Sequence, residues 1–383
     1  MKKKHTNILV IIFLIIIIII SIPLIKNKNK NQNLILQNIK LPPNFKIDIF
    51  ASDLGKSLNL PGPNKGARFM EFYNDALFVS MPSAGIIVAL PDNDKDGKAD
   101  QTIEVINGLN NPHGIAFLEN YMYIANEDSV VKAKIKDNFM ADISTKEHIT
   151  DLPSGGHWTR TIRIKDGSVY ISIGSSCNVC IESDERRASI LKCDFGRCSI
   201  FAKGIRNAVG FTFHPSNGKM YATENSRDWL GDDLPPDEIN IVENGKNYGW
   251  PICYGKNIHD IEFDKNTYIR NPCMEPFETP SYIDIPAHSA PLGLAFNFGN
   301  NFPSEYKGNL FVAYHGSWNK NVPTGYKVVR INTGTRQVYD FATGWLTEDN
   351  KVLGRPVDII FDKEGIMYVS DDNAGVIYRI WYE

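Results

Sequence analysis

An all-β, six-bladed β-propeller preceded by a single N-terminal transmembrane helix is the fold this sequence predicts. Three observations carry it. A short hairpin recurs six times: an alternating strand, a polar turn, then a strand with an aromatic among small or β-branched residues. The aromatics Phe78, Tyr123, Tyr170, Tyr221, Phe311 and Tyr368 are spaced by about 45, 47, 51, 90 and 57 residues, the period of propeller blades with insertions. Positions 8–25 form an apolar run broken only by Ser21 and Pro23.

The N-terminus reads MKKKHTNILVIIFLIIIIIISIPLIKNKNKNQN. A helix of about 18 residues rises about 27 Å, enough to cross a bilayer core. No small-residue cleavage site follows, so residues 1–26 are expected to be a membrane anchor or an uncleaved signal. Lys2, Lys3 and Lys4 are balanced by Lys26, Lys28 and Lys30, so charge does not set the orientation. Residues 27–40, rich in Lys, Asn and Gln, read as a polar linker, and residues 41–383 as the propeller. The expected placement is a membrane-anchored domain outside the cytoplasm, periplasmic or at the cell surface.

Within 41–383 the second strands of the six hairpins are ALFVS (76–80), YMYIA (121–125), SVYIS (168–172), KMYAT (219–223), NLFVA (309–313) and IMYVS (366–370). Strands such as GIAF, TIRI, GFTF, GLAF and DIIF precede them. A β-sandwich would explain the alternation but not the repetition. The early strand FKIDIFA (45–51) is expected to pair with the terminal GVIYRIWY and close the ring. The long interval after Tyr221 is rich in Pro, Cys and Asn and reads as inserted loops rather than a seventh blade.

A formal charge of -3, with no basic cluster interleaved with aromatics, excludes a nucleic-acid surface. All six cysteines (Cys177, Cys180, Cys193, Cys198, Cys253, Cys273) lie in one central region. Behind an export segment they favour disulfides, although Cys177-x2-Cys180 with Cys193-x4-Cys198 would also make a zinc site. In PDNDKDGKAD (91–100), Asp92, Asp94 and Asp96 precede Gly97, but Ile103 stands where a calcium loop has its bidentate Glu. That loop reads either as a weak calcium site or as a solvated turn.

A propeller does not identify a function, so the loops must. Four stand out: GGHWTR (155–160), GIRNAVGFTFHP (204–215), the segment from Ala222 to Pro251, and GRPVDIIF with DDNAGVIYRI near the C-terminus. GGHWTR, SIGSSCNVC, HGSWN (315–319) and DDNAGVIYRI, in that order, resemble the glucose/sorbosone dehydrogenase family, most closely its sorbosone branch, over roughly residues 40–383. The resemblance implies pyrroloquinoline quinone (PQQ) and Ca2+ as cofactors, and oxidation of an aldose or a sugar aldehyde. It also implies an external electron acceptor, a quinone or a cytochrome. His157 occupies the position of the general base, a role suited to a side chain that titrates near neutrality.

By the same resemblance Arg206 polarises the quinone oxygen, Asn207 helps hold the ring, and Asn225 and Arg355 bind cofactor. The backbone carbonyls of Ser226 and Arg227 stand where the family holds calcium, and Asp237 and Glu238 match an acidic pair. Three positions depart from the pattern. Ser226-Arg227 replaces a Gly-Pro, Val357 replaces an arginine of the glucose-oxidising members, and Gly156 replaces an acid directly before the base. His315 and Lys327 are further candidates. The competing expectation is a non-catalytic propeller that binds a protein or a glycan, in which His157 merely packs its loop.

Overall fold

The computed structural model describes residues 33–54, 66–194 and 196–383. Among them six four-stranded antiparallel sheets form a six-bladed propeller. Blade 1 comprises Met70–Tyr73, Ala76–Met81, Ile86–Pro91 and Ile103–Ile106; blade 2 comprises Gly114–Leu118, Tyr121–Ala125, Ser129–Ile135 and Ala141–Asp151. Blade 3 comprises Ile162–Lys165, Ser168–Ile173, Ser189–Asp194 and Arg197–Lys203, and blade 4 Phe211–Phe213, Met220–Glu224, Asp237–Val242 and Ile283–Ile285. Blade 5 comprises Pro291–Phe296, Leu310–Tyr314, Lys327–Asn332 and Gln337–Ala342. Blade 6 joins Pro356–Phe361, Met367–Asp371 and Val376–Tyr382 to the early strand Phe45–Ser52. That closure is the expected one, with Phe45 opposite Tyr382 and Ile47 opposite Ile380.

The aromatic of each repeat is explained by the blade interfaces. Phe78 meets Phe117, Tyr170 meets Phe213, Tyr221 meets Phe296, Phe311 meets Phe361 and Tyr368 meets Phe72, all edge-to-face at 5.0–5.5 Å between centroids. In each pair the second strand of one blade offers its ring to the first strand of the next. Tyr123 and Ile164 instead both pack against the apolar cluster between blades 2 and 3. Edge-to-face pairing sets the positive rim of one ring against the negative face of the other, so each interface gains more than its buried area. Six of the apolar clusters lie between consecutive blades.

The glycines that open the first strands have a related cause. A Cβ on Gly114 would meet Ile162 N at 2.5 Å, one on Gly210 would meet Leu292 O at 2.1 Å, and one on Gly293 would meet Asp358 Cα at 2.6 Å. Inner strands of neighbouring blades therefore touch backbone to backbone at the axis, which only glycine permits. A seventh cluster, Phe69, Val209, Leu292 and Val357, fills the axis itself. Val357 is fully buried there.

The interval after Tyr221 holds an insertion containing a small hairpin (Cys253–Tyr254 with Ile258–His259) and no blade. The six cysteines form the disulfides Cys177–Cys180, Cys193–Cys198 and Cys253–Cys273, which removes the zinc alternative. The expected transmembrane helix is corrected: among the described residues no helix is long and apolar enough to cross a membrane. Residues 1–26, on which that expectation rested, lie outside the described residues. The membrane partner and the membrane-anchored extracytoplasmic placement drawn from it are withdrawn. In the stretch read as a linker, residues 33–38 are helical, Ile35 is buried against the blade 5–6 core, and Lys40 bridges to Thr343.

Candidate active site

In each antiparallel blade the chain enters the first strand and leaves the second at the same end of the propeller. The loops before first strands and after second strands therefore gather on one face. His157 precedes blade 3, Arg206 and Asn207 precede blade 4, and His288 and Ala290 precede blade 5. Asn225, Ser226 and Asp228 follow the second strand of blade 4, and Trp318 and Asn319 that of blade 5. Together with Asp237 these residues line one cavity of about 190 Å3.

His157 is held from three sides. Its Nδ1 lies 2.9 Å from the Ser175 carbonyl and 3.0 Å from Ser175 Oγ, whose own proton goes to the Cys177 carbonyl at 2.7 Å. Both partners accept, so Nδ1 carries the proton and Nε2 presents its lone pair. Burial, reinforced by the Arg206 charge, lowers the imidazole to about 4. The loop that carries it is fastened by Arg160, fully buried, whose guanidinium donates to the carbonyls of His157 (2.6 Å), Thr159 (2.8 Å) and Pro153 (2.6 Å).

Two glycines make room for the histidine. Gly156 has φ +68°, and a Cβ there would lie 2.5 Å from Ser176 Cα. A Cβ on Gly174 would lie 2.6 Å from His157 Cβ and 2.8 Å from Asn207 Oδ1. An acid at position 156 is thus excluded by the backbone of the neighbouring loop. Val357 departs from the family for a different reason: it belongs to the axial core and not to the cavity wall.

Arg206 extends across the floor. Its Nε and Nη2 donate to Asn178 O (2.9 Å) and Asn178 Oδ1 (3.0 Å), and its Nη1 to the carbonyls of Asn225 and Ser226, both at 2.9 Å. Asp228 stands 3.5 Å from Nη2 and accepts from Asn319 Nδ2 at 2.8 Å. His288 Nδ1 lies 3.9 Å from Asp228, while its Nε2 donates to the Gly231 carbonyl at 2.8 Å. The rim is strained, with Trp229, His288 and Ala290 at φ 73°, 64° and 51°.

Asp237 acts as a clamp beneath this floor, one oxygen accepting from Ser226 N and the other from Ala290 N, both at 2.9 Å. Burial raises its carboxyl to about 6. Glu238 points away from the cavity and accepts from Gly255 N at 2.6 Å and Asn240 Nδ2 at 2.9 Å. The same Asn240 nitrogen bridges to Glu224, and burial raises both glutamates. Arg227 also turns away, pairing with Asp260 at 3.1 Å.

Arg355 belongs to a second cavity of about 350 Å3, lined with Arg68, Trp158 and Asp372 among others. The two cavities are neighbours: His157 lines the first and Trp158 the second, and Arg355 donates to the Ser317 carbonyl (3.2 Å) next to Trp318. Asp372 receives Arg68 at 2.5 Å and His315 at 2.9 Å. Lys327 pairs with Asp340 on a neighbouring strand and does not reach either cavity.

An acidic planar quinone fits these donors. Arg206, Arg68 and Arg355 line the two cavities, Arg68 Nε is buried without a hydrogen-bond partner, and Trp158 and Trp318 form part of the walls. The carbonyl calcium ligands do not fit in this arrangement, because Arg206 already donates to Ser226 O, and a guanidinium there repels a divalent cation. In the 91–100 loop the carboxylates of Asp92, Asp94 and Asp96 lie close together, but each accepts from a backbone amide of the turn: Gly97, Asp96 and Lys98 respectively.

Asp228, His288, Asn319, Arg68, Ser175 and Asn178 were not singled out as site residues by sequence. Four of them lie in stretches already conspicuous: Ser175 and Asn178 in SSCNVC, Asp228 in the segment from Ala222 to Pro251, and Asn319 in HGSWN. His288 sits in a polar loop with no spacing signal.

Comparison with known proteins follows the same architecture. The TrAA12-like family profile matches residues 64–383. This chain belongs to the TrAA12-like family. An uncharacterised protein of Borreliella burgdorferi is 34% identical over 91% of this TrAA12-like chain and 92% of its own length. The pyrroloquinoline quinone-dependent pyranose dehydrogenase of Coprinopsis cinerea is 26% identical over 61% of this chain, but over only 40% of its own length. The structure of the Trichoderma reesei carbohydrate-active enzyme of family AA12 superposes with a TM-score of 0.74 at 19% identity, covering 90% of this chain and 98% of that one. These similarities place the chain with the sugar dehydrogenase propellers as a group, and do not single out the sorbosone branch.

Proposed function

We propose that this TrAA12-like protein oxidises a sugar, an aldose or a sugar aldehyde, with a pyrroloquinoline quinone held across the two cavities. The observation that carries the reading is the state of His157: Nδ1–H bonded to a carbonyl, Nε2 unprotonated and in one cavity with Arg206 and Asn207. A bound quinone would supply the two-electron acceptor. His157 Nε2 would accept the hydroxyl proton of an aldose, or of the hydrate of a sugar aldehyde, as the same carbon gives up its hydride, so the carbon leaves as a lactone carbonyl or a carboxylic acid. Arg206 lies where negative charge on an acceptor oxygen would be offset, in a site with little water to screen it. Arg355, Arg68, Asn207 and Asn225 would hold the acidic cofactor. Trp229 and Trp318, edge-to-face at 5.5 Å and both largely exposed, offer apolar faces to a pyranose ring at the rim.

Electrons then pass to an external acceptor, a quinone or a cytochrome. Calcium remains part of this reading only with Arg206 displaced from the Ser226 carbonyl. The test is reconstitution of purified protein with the quinone, with and without Ca2+, followed by absorbance of the bound quinone and dye reduction with a panel of sugars. Quinone binding with sugar-dependent reduction is expected. A folded protein that binds no quinone would return the competing reading, a propeller that binds glycan without chemistry.

A further inference from the structure

We infer that Asn178, pinned inside the Cys177–Cys180 disulfide loop, is the positioning residue that sets Arg206 and Asp228 for the proposed reaction. The inference rests on the functional reading above for its kinetic arm only.

Asn178 spends its whole polar edge on the site. Its backbone carbonyl and Oδ1 receive the Nε and Nη2 of Arg206 at 2.9 and 3.0 Å, a two-point grip that fixes the plane of the guanidinium. The same Oδ1 accepts from Asp228 N at 2.7 Å, and its Nδ2 donates to Asp228 O at 3.1 Å. One side chain thus joins blade 3 to the loop of blade 4 that carries Asp228. Arg206 would otherwise be held in the cavity only by the carbonyls of Asn225 and Ser226 and a long contact with Asp228.

The loop is built to keep Asn178 in place. The disulfide closes around it at a separation of 3 residues, and Glu182 receives both Ser176 N (2.6 Å) and Ser176 Oγ (2.7 Å). Cys177 O also accepts from Ser175 Oγ, the hydroxyl that faces His157 Nδ1. The loop that grips Arg206 therefore also orders the partner of the base. Neither other disulfide does this: Cys193–Cys198 joins the outer strands of blade 3, and Cys253–Cys273 staples the insertion.

The experiment compares wild type, Asn178→Ala, Asn178→Asp and the double variant Cys177→Ser/Cys180→Ser, each as the full chain. Thermal melting, amide hydrogen exchange at Asp228, and kcat and KM of the quinone-loaded protein are measured. Variants are used rather than reductant, which would open all three disulfides. In Asn178→Ala the Asp228 amide should lose protection and kcat should fall about 100-fold, the usual consequence of a misplacement near 1 Å. KM for the sugar should change far less, and melting should remain cooperative. Asn178→Asp keeps the Oδ1 acceptor for Arg206 and for Asp228 N but sets an oxygen against the Asp228 carbonyl in place of the Nδ2 donor, so it should recover the protection and kcat in part. The double cysteine variant should move in the direction of Asn178→Ala.

Unchanged exchange at Asp228 in Asn178→Ala would overturn the inference. So would activity that merely tracks the folded fraction in all variants. If wild type neither binds quinone nor turns over sugar, the functional reading fails, while the exchange measurements still decide whether Asn178 positions the Asp228 loop.

Discussion

A single hydrogen bond decides what His157 can do. With Nδ1–H committed to the Ser175 carbonyl, Nε2 is a base at any pH above its lowered value of about 4. In the quinone-free protein the imidazole should accordingly titrate at about 4 by NMR, and an ordinary value of 6.5 would show that the ring is not buried beside Arg206 as described. His157→Ala should retain quinone binding and lower turnover by about 10²- to 10⁴-fold. The same lowered value bears on stability. The unfolded chain binds the proton more tightly than the folded one, so the histidine costs nothing above 6.5 and destabilises progressively as pH falls towards about 4. Gly156 provides a second test at this scale. Gly156→Asp, which restores the acid of the glucose-oxidising members, should lower the melting temperature and activity together, because its Cβ collides with the Ser175–Ser176 backbone and φ +68° disfavours any side chain. A well-folded, active Gly156→Asp would mean that the loop is looser than its packing indicates.

At the scale of the element, blade 4 concentrates three buried carboxyls. Glu224, Asp237 and Glu238 are all buried at the ends of its central strands, and burial raises each above its ordinary value, Glu238 to about 7. A carboxyl raised in the folded state binds its proton more tightly there than in the unfolded chain. Its contribution is therefore favourable at low pH and is lost as pH rises from the ordinary 4.5 through about 7. Glu238→Gln should then raise the melting temperature above pH 7, with the gain shrinking as pH falls towards 4.5. A destabilised Glu238→Gln at every pH would show that the ionised carboxylate is required by Gly255 and Asn240. In sequence DEIN was legible as an acidic pair, but not which acid faced the cavity. Asp237 and Glu238 are neighbours on a strand and so point to opposite faces, and the face of the cavity is set by blades 3 and 5.

Across the whole molecule, stability depends on the closure of the ring. Phe45, on the strand contributed by the N-terminal part of the propeller, meets Phe302, Tyr306, Phe341 and Tyr382 at 4.7–5.1 Å, and so ties blade 6 to blade 5. Phe45→Ala should cost about 3–5 kcal/mol, as for other buried aromatic truncations. Because each blade is stable only between two neighbours, the melt should shift as one transition rather than shedding blade 6 alone. Separate transitions on calorimetry would contradict that. The closing strand was predictable because FKIDIFA alternates and has no partner of its own near it. The helix at 33–38 was not, since Leu34, Ile35 and Leu36 are too few to show a period, and the cluster that Ile35 and Leu36 join is built mostly from residues some 300 positions away.

Taken alone, the sequence determined what repeats: six hairpins, their aromatic rings and the pairing of the two ends. These are local patterns whose period survives in one dimension. It also determined, by resemblance, that His157, Arg206 and Asn207 belong together. Only the tertiary structure decided which atoms of these residues are available. Ser175 fixes the tautomer of His157 from 18 residues away, Asn178 grips Arg206 across 28 residues, and Arg206 occupies the carbonyl expected for calcium. The difference is physical: periodicity records what each strand buries, whereas a site is made where loops from separate blades converge, and no spacing along the chain encodes that meeting.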